Sequence, residues 1–399
     1  MGTKRRLAPE VMKLAAMRAD GPVLDLFSGM CSVGAIVSPK RPVWVNDLQI
    51  FSHEVGKALF CSGSAPPCRA NVFIHLTENF SSHLRLLTSM ASEDIQKEEE
   101  ANRKDDYIAS LRLMDDFSNI EANNLGNKLK AINHCLFIST YSASYFGILQ
   151  CAEIDAAVFS IDSALTGGHL NLNDARWIRI ALAIAINKVS ASTGHFAQHL
   201  TPSYANKKRF HAQRRRSVFQ EWLTAIEHME DLSFVDGDNS IKNRAFNSDA
   251  IDLLDLLCEE NSAPAVIYAD PPYTDDQYSR FYHIYETLFL YDYPLISGKG
   301  RYRKERVTSD FSLKSKVSHS IEELISKTST LGSDLIISYP GNGLLPDSHE
   351  VIPELLSKYF TGKVTSTCVP YIHSSMGGGT ARVNKTEVTE YLYRGTHYV

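Results

Sequence analysis

Three short apolar runs, each ending in an acidic residue, stand out in the hydrophobic pattern of the chain. They cover residues 23–25, 42–47 and 265–270 and end in Asp25, Asp47 and Asp270. Short runs rich in β-branched and aromatic residues are typical of buried parallel strands. Pro271 and Pro272 cannot continue a strand ladder, so the third strand must stop at Asp270. We therefore expect ligand-binding side chains at the carboxyl ends of these strands, where open α/β sheets hold their ligands.

The remaining pattern divides the chain into two parts. Apolar runs at residues 334–340, 363–368 and 388–393 predict further strands, whereas residues 72–230 show mainly helical spacing. A stretch of this length is too long for a connection within a compact domain. We therefore predict one domain built from residues 1–60 and 231–399, and a helical insert at residues 61–230.

Composition narrows the class of protein. The 399 residues, with 44% hydrophobic and 22% charged positions, suit a globular protein with a large core and an inserted lobe. The seven cysteines include no Cys-x-x-Cys pair, which argues against a disulfide framework or a zinc site. The basic N-terminus is not followed by an apolar core, and no apolar run approaches the length of a membrane span. These features predict a cytoplasmic protein.

Residues 23–34 predict a strand, a tight turn at Gly29 and then a helix. Glycine lets the backbone approach a ligand closely, and the N–H groups of the following helix point towards that ligand. Asp47 follows this turn by about 20 residues, the spacing at which such folds place an acid for ribose hydroxyls. Asp47 could also cap the next helix, which begins near Gln49, and the two roles are compatible.

The turn that follows Asp270 offers the groups needed to hold an exocyclic amine. The Asp270 carboxylate and the Pro271 carbonyl are two hydrogen-bond acceptors, and the Tyr273 ring is a flat face on which a base can stack. Alkylation of an amino group on a nucleobase requires such an arrangement. The Asp-Pro-Pro-Tyr sequence resembles motif IV of the methyltransferases that modify adenine N6 in DNA.

Other segments resemble further motifs of the same enzymes. The basic N-terminus with Lys4 resembles motif X, and residues 25–31 resemble motif I with Cys31 in place of the second glycine. Asp249 resembles the acid of motif III, and it also fits the N-cap of the helix that follows it. The order of these motifs resembles that of the D12 class of adenine-specific DNA methyltransferases, which includes the Dam enzymes.

This resemblance implies an α/β fold of the class I methyltransferase type, with a Rossmann-like, mostly parallel seven-stranded sheet and a large helical inserted domain. It implies S-adenosylmethionine as the methyl donor, no metal, and a target adenine that leaves the duplex. The catalytic residues would be Asp270, Pro271, Pro272 and Tyr273. The cofactor-binding residues would be Lys4, Asp25, Phe27, Ser28, Gly29, Asp47 and Asp249.

Basic segments provide candidate DNA contacts on a chain whose net charge is −5. Residues 204–216 combine cations with aromatic residues, which can neutralise phosphates and stack on bases, although a solvated basic face is the plainer interpretation. A second basic loop at residues 299–304 is a candidate lid over DNA. The candidate nucleic-acid-binding residues are Lys207, Lys208, Arg209, Arg214, Arg215, Arg216, Arg301 and Arg303.

Three other functions stay open on the sequence. A cytosine-C5 methyltransferase needs a cysteine nucleophile, and Pro66-Pro67-Cys68 resembles that loop but does not follow a buried strand. An RNA adenine methyltransferase or a catalytically silent regulator would share the same sites. We expect a monomer or weak dimer that acts on double-stranded DNA with a flipped adenine. The setting would be restriction-modification or phage defence, with a restriction or defence partner.

Overall fold

The computed structural model describes residues 7–18, 20–118, 124–231, 242–374 and 385–397. The chain forms two compact units. The first unit contains Met1–Ser64, Ser233–Phe281 and Arg306–Val399, and the second contains Ala65–Leu232 and Tyr282–Glu305. The second unit thus includes a segment, residues 282–305, that we had assigned to the other domain from the sequence.

A seven-stranded sheet lies at the centre of the first unit. Numbered along the chain, its strands are β1 (Val23–Asp25), β2 (Val43–Asn46), β3 (Arg244–Phe246), β4 (Val266–Ala269), β7 (Asp334–Pro340), β8 (Val364–Ser374) and β9 (Lys385–Gly395). They lie in the order β3-β2-β1-β4-β7-β9-β8. The first five strands in this order are parallel, and β9 is antiparallel to both of its neighbours. The expected mostly parallel seven-stranded sheet is confirmed, although β3 had no clear signal in the sequence.

Helices cover the two faces of this sheet. Numbered along the chain, those of the first unit are α1 (Ala8–Ala15), α2 (Ser32–Val37), α3 (Ile50–Gly56), α13 (Ala250–Glu259), α15 (Val317–Thr330) and α16 (Ser348–Tyr359). Leu24, Ile267 and Leu335 share a buried core with side chains of α13, α15 and α16. On the opposite face, α1 contacts β7 and α2 contacts β1 and β2. Since both faces are covered, the strands are continuous apolar runs and not alternating ones.

The chain reverses its direction of travel across the sheet at β1. From β1 it moves outwards to β2 and β3, and it then returns to β4 on the other side of β1. The Leu26 N–H donates to the Tyr268 carbonyl over 2.9 Å, so the carboxyl ends of β1 and β4 lie side by side. Open parallel sheets bind ligands outside the carboxyl ends of the strands at such a reversal. The two predicted acids, Asp25 and Asp270, therefore lie at the edge where a ligand is expected.

The second unit is mainly helical, as its apolar spacing predicted. Its helices are α4 (Arg69–Met90), α5 (Ser92–Lys104), α6 (Tyr107–Asp116), α7 (Asn124–Leu129), α8 (Leu136–Thr140), α9 (Ile148–Thr166), α10 (Leu172–Val189), α11 (Lys207–Arg214) and α12 (Val218–Met229). Helix α14 (Tyr278–Leu290) leads into a short hairpin of β5 (Ile296–Ser297) and β6 (Tyr302–Arg303). Trp222 is fully buried and donates its indole N–H to the Ile178 carbonyl over 3.0 Å, which links α12 to α10.

Asp155 connects the two chain segments of the second unit. Its carboxylate accepts hydrogen bonds from the backbone N–H groups of Phe137 and Ile138, each at 2.8 Å, at the start of α8. It also accepts one from the Tyr291 hydroxyl over 2.5 Å. Burial raises the pKa of Asp155 to about 7, although these hydrogen bonds oppose the shift. Among the described residues, no helix of either unit is long and apolar enough to cross a membrane.

The raised pKa of Asp155 makes stability depend on pH. The folded state retains a proton on Asp155 that the unfolded chain releases near pH 4, so this contribution to stability is lost as pH rises from about 4 to about 7. The slope is at most about 1.4 kcal/mol per pH unit. Urea unfolding at pH 5 and pH 7.5 measures it. We expect Asp155→Asn to have a smaller difference between the two pH values, and an unchanged difference would contradict this assignment.

Candidate active site

Three predicted acids gather at the carboxyl ends of adjacent strands in the first unit. Asp25 ends β1, Asp47 follows β2, and Asp270 follows β4. Asp25 is only 3% exposed, and burial raises its pKa well above the usual value, with further increases from the charges of Asp270 and Asp47. Asp270 and Asp47 are therefore both close enough to repel the charge of Asp25. A site of this kind favours a positively charged ligand.

The glycine turn beside Asp25 has the geometry that a close ligand requires. Gly29 adopts φ +49°, and a Cβ atom added there would meet no atom within 4 Å. Cys31 also has a positive φ, +57°, a conformation that favours glycine. This explains why a second glycine is usual at that position of the motif. Here the cysteine is buried at the start of α2, so the turn keeps its shape with a non-glycine residue.

Asp47 braces the glycine turn from the neighbouring strand. Its Oδ2 accepts a hydrogen bond from the Gly29 N–H, and its Oδ1 accepts one from the Gln49 N–H, each over 2.9 Å. Burial raises the pKa of Asp47 to about 6, while these hydrogen bonds act in the opposite direction. Asp47 thus fixes the residue before α3, but the N-cap of α3 is Gln49, so the predicted capping role of Asp47 is wrong. The predicted ribose contact stays a prediction.

Asn46, which the sequence analysis missed, joins the strand ends to the loop before α13. Its Nδ2 donates to the carbonyls of Leu26 and Ser248, both over 3.1 Å, and its Oδ1 accepts from the Ser248 N–H over 3.2 Å. Only 1% of Asn46 is exposed. Asp249 follows Ser248 in the chain and is the N-cap of α13. Its side chain accepts a hydrogen bond from the Ile251 N–H over 2.8 Å. Its second predicted role, near an adenine, stays a prediction.

The Asp270–Tyr273 turn follows β4 and is fixed from two directions. The Tyr273 carbonyl accepts a hydrogen bond from the Leu344 N–H over 2.9 Å, and the Tyr273 ring is partly buried against the core. Pro271 is buried and Pro272 is half-buried. The Ser338 Oγ, on β7, lies 3.4 Å from Asp270 Oδ1. The turn is thus rigid, and its carboxylate faces the neighbouring strand.

Two buried side chains that the sequence did not predict, Ser338 and Glu390, extend a polar row that begins at Asp270. Asp25 pairs with Tyr268 in the β1–β4 register, and Tyr268 pairs with Ile336, two residues before Ser338 on the same face of β7. Ser338 donates to Glu390 Oε1 of β9 over 2.5 Å. Burial raises the pKa of Tyr268 well above its usual value, and the Asp270 and Asp25 charges add to this shift. The only sequence signal was an acid inside an apolar strand pattern at residues 388–393.

The residues at this edge fit a cationic, nucleoside-like ligand. Among the described residues, no group donates a hydrogen bond to the buried Asp25 Oδ1. The space next to Gly29 is open, and Asp47 has further lone pairs for hydroxyl groups. The half-buried Phe27 packs edge-on against Phe311, with ring centroids 5.2 Å apart, and forms an apolar wall. Lys4, the last predicted cofactor contact in the N-terminal segment, lies outside the described residues.

Part of this chain matches the model of a known protein family. Residues 197–336, which include the Asp270–Tyr273 turn, match the model of the D12 class N6 adenine-specific DNA methyltransferases. The resemblance to the D12 class is confirmed. The match covers about a third of the chain and includes Asp249, whereas residues 25–31 lie outside it, so the motif I assignment is supported by the strand positions alone.

Three modification enzymes share sequence with this chain. Modification methylase StsI of Streptococcus sanguinis is 23% identical over 93% of the chain and 48% of its own length. Modification methylase LlaI of Lactococcus lactis subsp. lactis is 27% identical over 49% of the chain and 28% of its own length. Type II methyltransferase M.FokI of Planomicrobium okeanokoites is 34% identical over 27% of the chain and 16% of its own length. The chain spans about half, or less, of the length of these relatives.

Three arginines predicted to bind nucleic acid have structural roles in the second unit. Arg214 is only 6% exposed and donates to the Ser144 carbonyl over 2.7 Å. Arg301 donates to the carbonyls of Thr140 and Phe117, over 2.5 and 2.7 Å. The guanidinium of the buried Arg303 makes two hydrogen bonds to Asp292, over 2.7 and 2.6 Å. Since these groups are already engaged, Arg214, Arg301 and Arg303 do not fit the predicted phosphate contacts.

The other cations of the basic segment are more accessible. Lys208 and Arg209 are exposed on α11, and Lys207 lies over the exposed Tyr204 ring, 4.7 Å from its centroid. Arg215 pairs with Asp105 over 2.9 Å and Arg216 pairs with Glu221 over 2.7 Å. Exposed ion pairs of this kind are weak and can exchange for a phosphate. Lys207, Lys208 and Arg209 are thus the better candidates.

The alternative cysteine nucleophile has no supporting geometry. Cys68 is exposed and lies in the second unit, where it precedes the first residue of α4. The residues before Cys68 form a loop, so Cys68 does not lie at the end of a buried strand. A cytosine-C5 mechanism requires a positioned thiolate at the base-binding site. The structure therefore gives this alternative no support.

The buried Asn46 provides a stability test of the strand-end connections. Asn46→Ala would leave the Leu26 and Ser248 carbonyls and the Ser248 N–H without their partner, and we expect a loss of about 3 kcal/mol in the free energy of unfolding. Chemical denaturation measures this loss. Asn247→Ala is the matched control, since Asn247 is exposed and makes one hydrogen bond, to the Asp47 carbonyl, and its loss should stay below about 1 kcal/mol. Equal losses in the two variants would contradict the proposed importance of Asn46.

Proposed function

We propose that this protein is a site-specific DNA methyltransferase that transfers a methyl group from S-adenosylmethionine to adenine N6, in a restriction-modification setting. One observation carries the proposal. The parallel pairing of β1 with β4 brings the glycine turn after Asp25 and the Asp-Pro-Pro-Tyr turn to the same edge of the sheet. A methyl donor and an amine acceptor must meet at one place, and these two turns supply one binding element for each.

We assign the fold to the class I, Rossmann-like methyltransferases. Support comes from the strand order, the reversal next to β1, and helices on both faces of the sheet. When bound, S-adenosylmethionine supplies an activated methyl group on a positively charged sulfur. We propose that Gly29 and Ser28 approach this molecule through their backbone, that Asp47 accepts hydrogen bonds from its ribose, and that Asp249 and Phe27 flank its adenine side. The negative charge of Asp25 favours the cationic donor.

The Asp270–Tyr273 turn would bind the target base. The Asp270 carboxylate and the Pro271 carbonyl accept the two N6 hydrogens, and this orients the nitrogen lone pair towards the methyl group. Pro272 stiffens the turn, and the Tyr273 ring stacks on the base. Holding the two reacting atoms in line and stabilising the charge that develops on the amine are the sources of rate enhancement. The amine is paired and stacked inside a duplex, so the adenine must first rotate out of the helix.

DNA binding would involve the second unit as the target recognition domain. Lys207, Lys208 and Arg209 form a cationic group on α11, in which Lys208 and Arg209 are exposed and Lys207 is half-buried. A chain of net charge −5 needs such a local group to bind a polyanion. The match to the model of the D12 class N6 adenine-specific DNA methyltransferases supports a DNA substrate, which we propose to be double-stranded. The protein would protect this DNA in a cell that also contains a restriction or defence partner.

The first test replaces Asp270. Asp270→Ala removes the acceptor for the amine, and we expect methyl transfer to fall by at least about 1,000-fold because positioning and charge stabilisation are both lost. Radiolabelled methyl transfer to DNA, with sequencing of N6-methyladenine, measures the activity. Donor binding, measured by calorimetry, should change less than about 3-fold. Asp276→Ala, a nearby partly exposed acid outside the turn, is the control. An Asp270→Ala variant with the wild-type rate would refute the assignment.

The second test concerns the cationic group on α11. We expect the double substitution Lys208→Ala and Arg209→Ala to weaken DNA binding and to lower the slope of log Kd against log salt concentration by about 1 to 2. The double substitution Arg112→Ala and Lys130→Ala removes two exposed cations elsewhere in the same unit and serves as the control. Binding titrations at several salt concentrations give the slopes. A slope equal to that of the control would exclude Lys208 and Arg209 from phosphate contact.

A further inference from the structure

Methylation of the amine releases a proton, and the proposed function does not specify which group accepts it. When the N6 lone pair forms a bond to the methyl carbon, the carbon–sulfur bond breaks and its electron pair stays on sulfur. The nitrogen then carries one proton more than the neutral product. That proton must move to a base, and the acceptor that touches the amine is Asp270. If this proton passes on from Asp270 while the carbon–nitrogen bond forms, Asp270 remains a carboxylate and a full acceptor for the amine during methyl transfer.

Two groups behind Asp270 can take this proton further. Ser338 Oγ lies 3.4 Å from Asp270 Oδ1 and 2.5 Å from Glu390 Oε1. A hydroxyl has one hydrogen, and the shorter contact indicates that this hydrogen points to Glu390. The lone pairs of Ser338 Oγ are then available to a hydrogen on Asp270. The three side chains thus form a row with a direction, from Asp270 through Ser338 to Glu390.

The surroundings of this row make it suitable for proton transfer. Ser338 is fully buried and Glu390 is 1% exposed, so bulk water does not compete for these contacts. The titratable groups that face the row come from each strand packed there: Asp25 from β1, Tyr268 and Asp270 from β4, and Glu390 from β9. A glutamate buried within a sheet is unusual, because its burial stabilises the protein less than an apolar residue would. This cost indicates a functional reason for Glu390.

We propose that Ser338 and Glu390 are positioning residues that relay the surplus amine proton away from Asp270, an inference that rests on the proposed function. The amine gives a proton to the Asp270 carboxylate. In the same step, Asp270 donates a proton to Ser338 Oγ and the hydrogen of Ser338 passes to Glu390 Oε1, so the relay acts on the rate of the single turnover. Asp270 is again a carboxylate, and Glu390 has become a carboxylic acid. Once the methylated base has left, the proton returns by the same path to Asp270, which releases it to solvent.

Glu390→Gln is the decisive variant, since a glutamine keeps the oxygen that accepts from Ser338 but cannot take up a proton. We expect the single-turnover rate of methyl transfer to fall about 10- to 100-fold, in the range of general-base contributions. The Kd for the methyl donor and the KM for DNA should change less than 2-fold. Glu354→Gln, at an exposed glutamate on α16, is the matched control and should keep the wild-type rate.

Substitutions of Ser338 give an independent measurement. Ser338→Ala interrupts the row and should slow the single turnover as much as Glu390→Gln does. Ser338→Thr retains the hydroxyl and should restore the rate to within about 3-fold of wild type. The double variant, Ser338→Ala with Glu390→Gln, should be no slower than either single variant, because groups that act as one unit are not additive. If one variant fails to fold, the contrast between Ser338→Ala and Ser338→Thr still decides.

The outcomes separate this inference from the proposed function. A Glu390→Gln single-turnover rate within 2-fold of wild type, or additive losses in the double variant, would overturn the relay while leaving methyl transfer intact. A wild-type protein that methylates no adenine in DNA would instead overturn the proposed function. Losses of donor or DNA binding in Glu390→Gln without a change in single-turnover rate would also contradict the relay, since they would assign Glu390 to binding.

Discussion

The pairing of β1 with β4 is the interaction on which the site depends. About 240 residues separate these strands in the sequence, yet the Leu26 N–H and the Tyr268 carbonyl meet over 2.9 Å at their carboxyl ends. Every other feature of the site follows from this contact. It places the glycine turn beside the Asp-Pro-Pro-Tyr turn, and it brings Asp25 within electrostatic range of Asp270.

The same arrangement has an energetic cost. Burial raises the pKa of both Asp25 and Asp47, and the charges of Asp270 and Asp47 raise the pKa of Asp25 further. The apolar core beneath the sheet and the hydrogen bonds of Asn46 offset this local instability. Functional sites commonly sacrifice stability in this way. A positively charged ligand would relieve part of this repulsion. The same carboxyl groups would therefore contribute both to the affinity for the ligand and to the preference for a positive charge.

Local signals in the sequence predicted much of this architecture. The strands at β1, β2, β4 and β7 are continuous apolar runs with sharp ends, and the Asp270–Tyr273 turn is encoded by adjacent prolines. β3 was missed because it has three half-buried residues, Arg244 to Phe246, at the edge of the sheet. The arginines show a second limit of prediction from sequence, which does not reveal the partners of a charged side chain. Arg214 and Arg303 resemble surface cations in sequence, and only tertiary packing reveals that backbone carbonyls and Asp292 engage them. The roles of Asn46, Ser338 and Glu390 likewise depend on hydrogen-bond partners that are distant in the chain.

The position of β9 affects how the protein can assemble during synthesis. This strand follows β8 in the chain but lies between β7 and β8, so β8 has no partner in the sheet until the ribosome has produced β9. The outer side of β7 remains unpaired during that interval, and unpaired strand edges promote association between chains. Glu390 belongs to this late strand. The acidic end of the polar row is therefore added when the sheet closes, and a nascent chain would contain a nearly complete sheet before it contained a complete site.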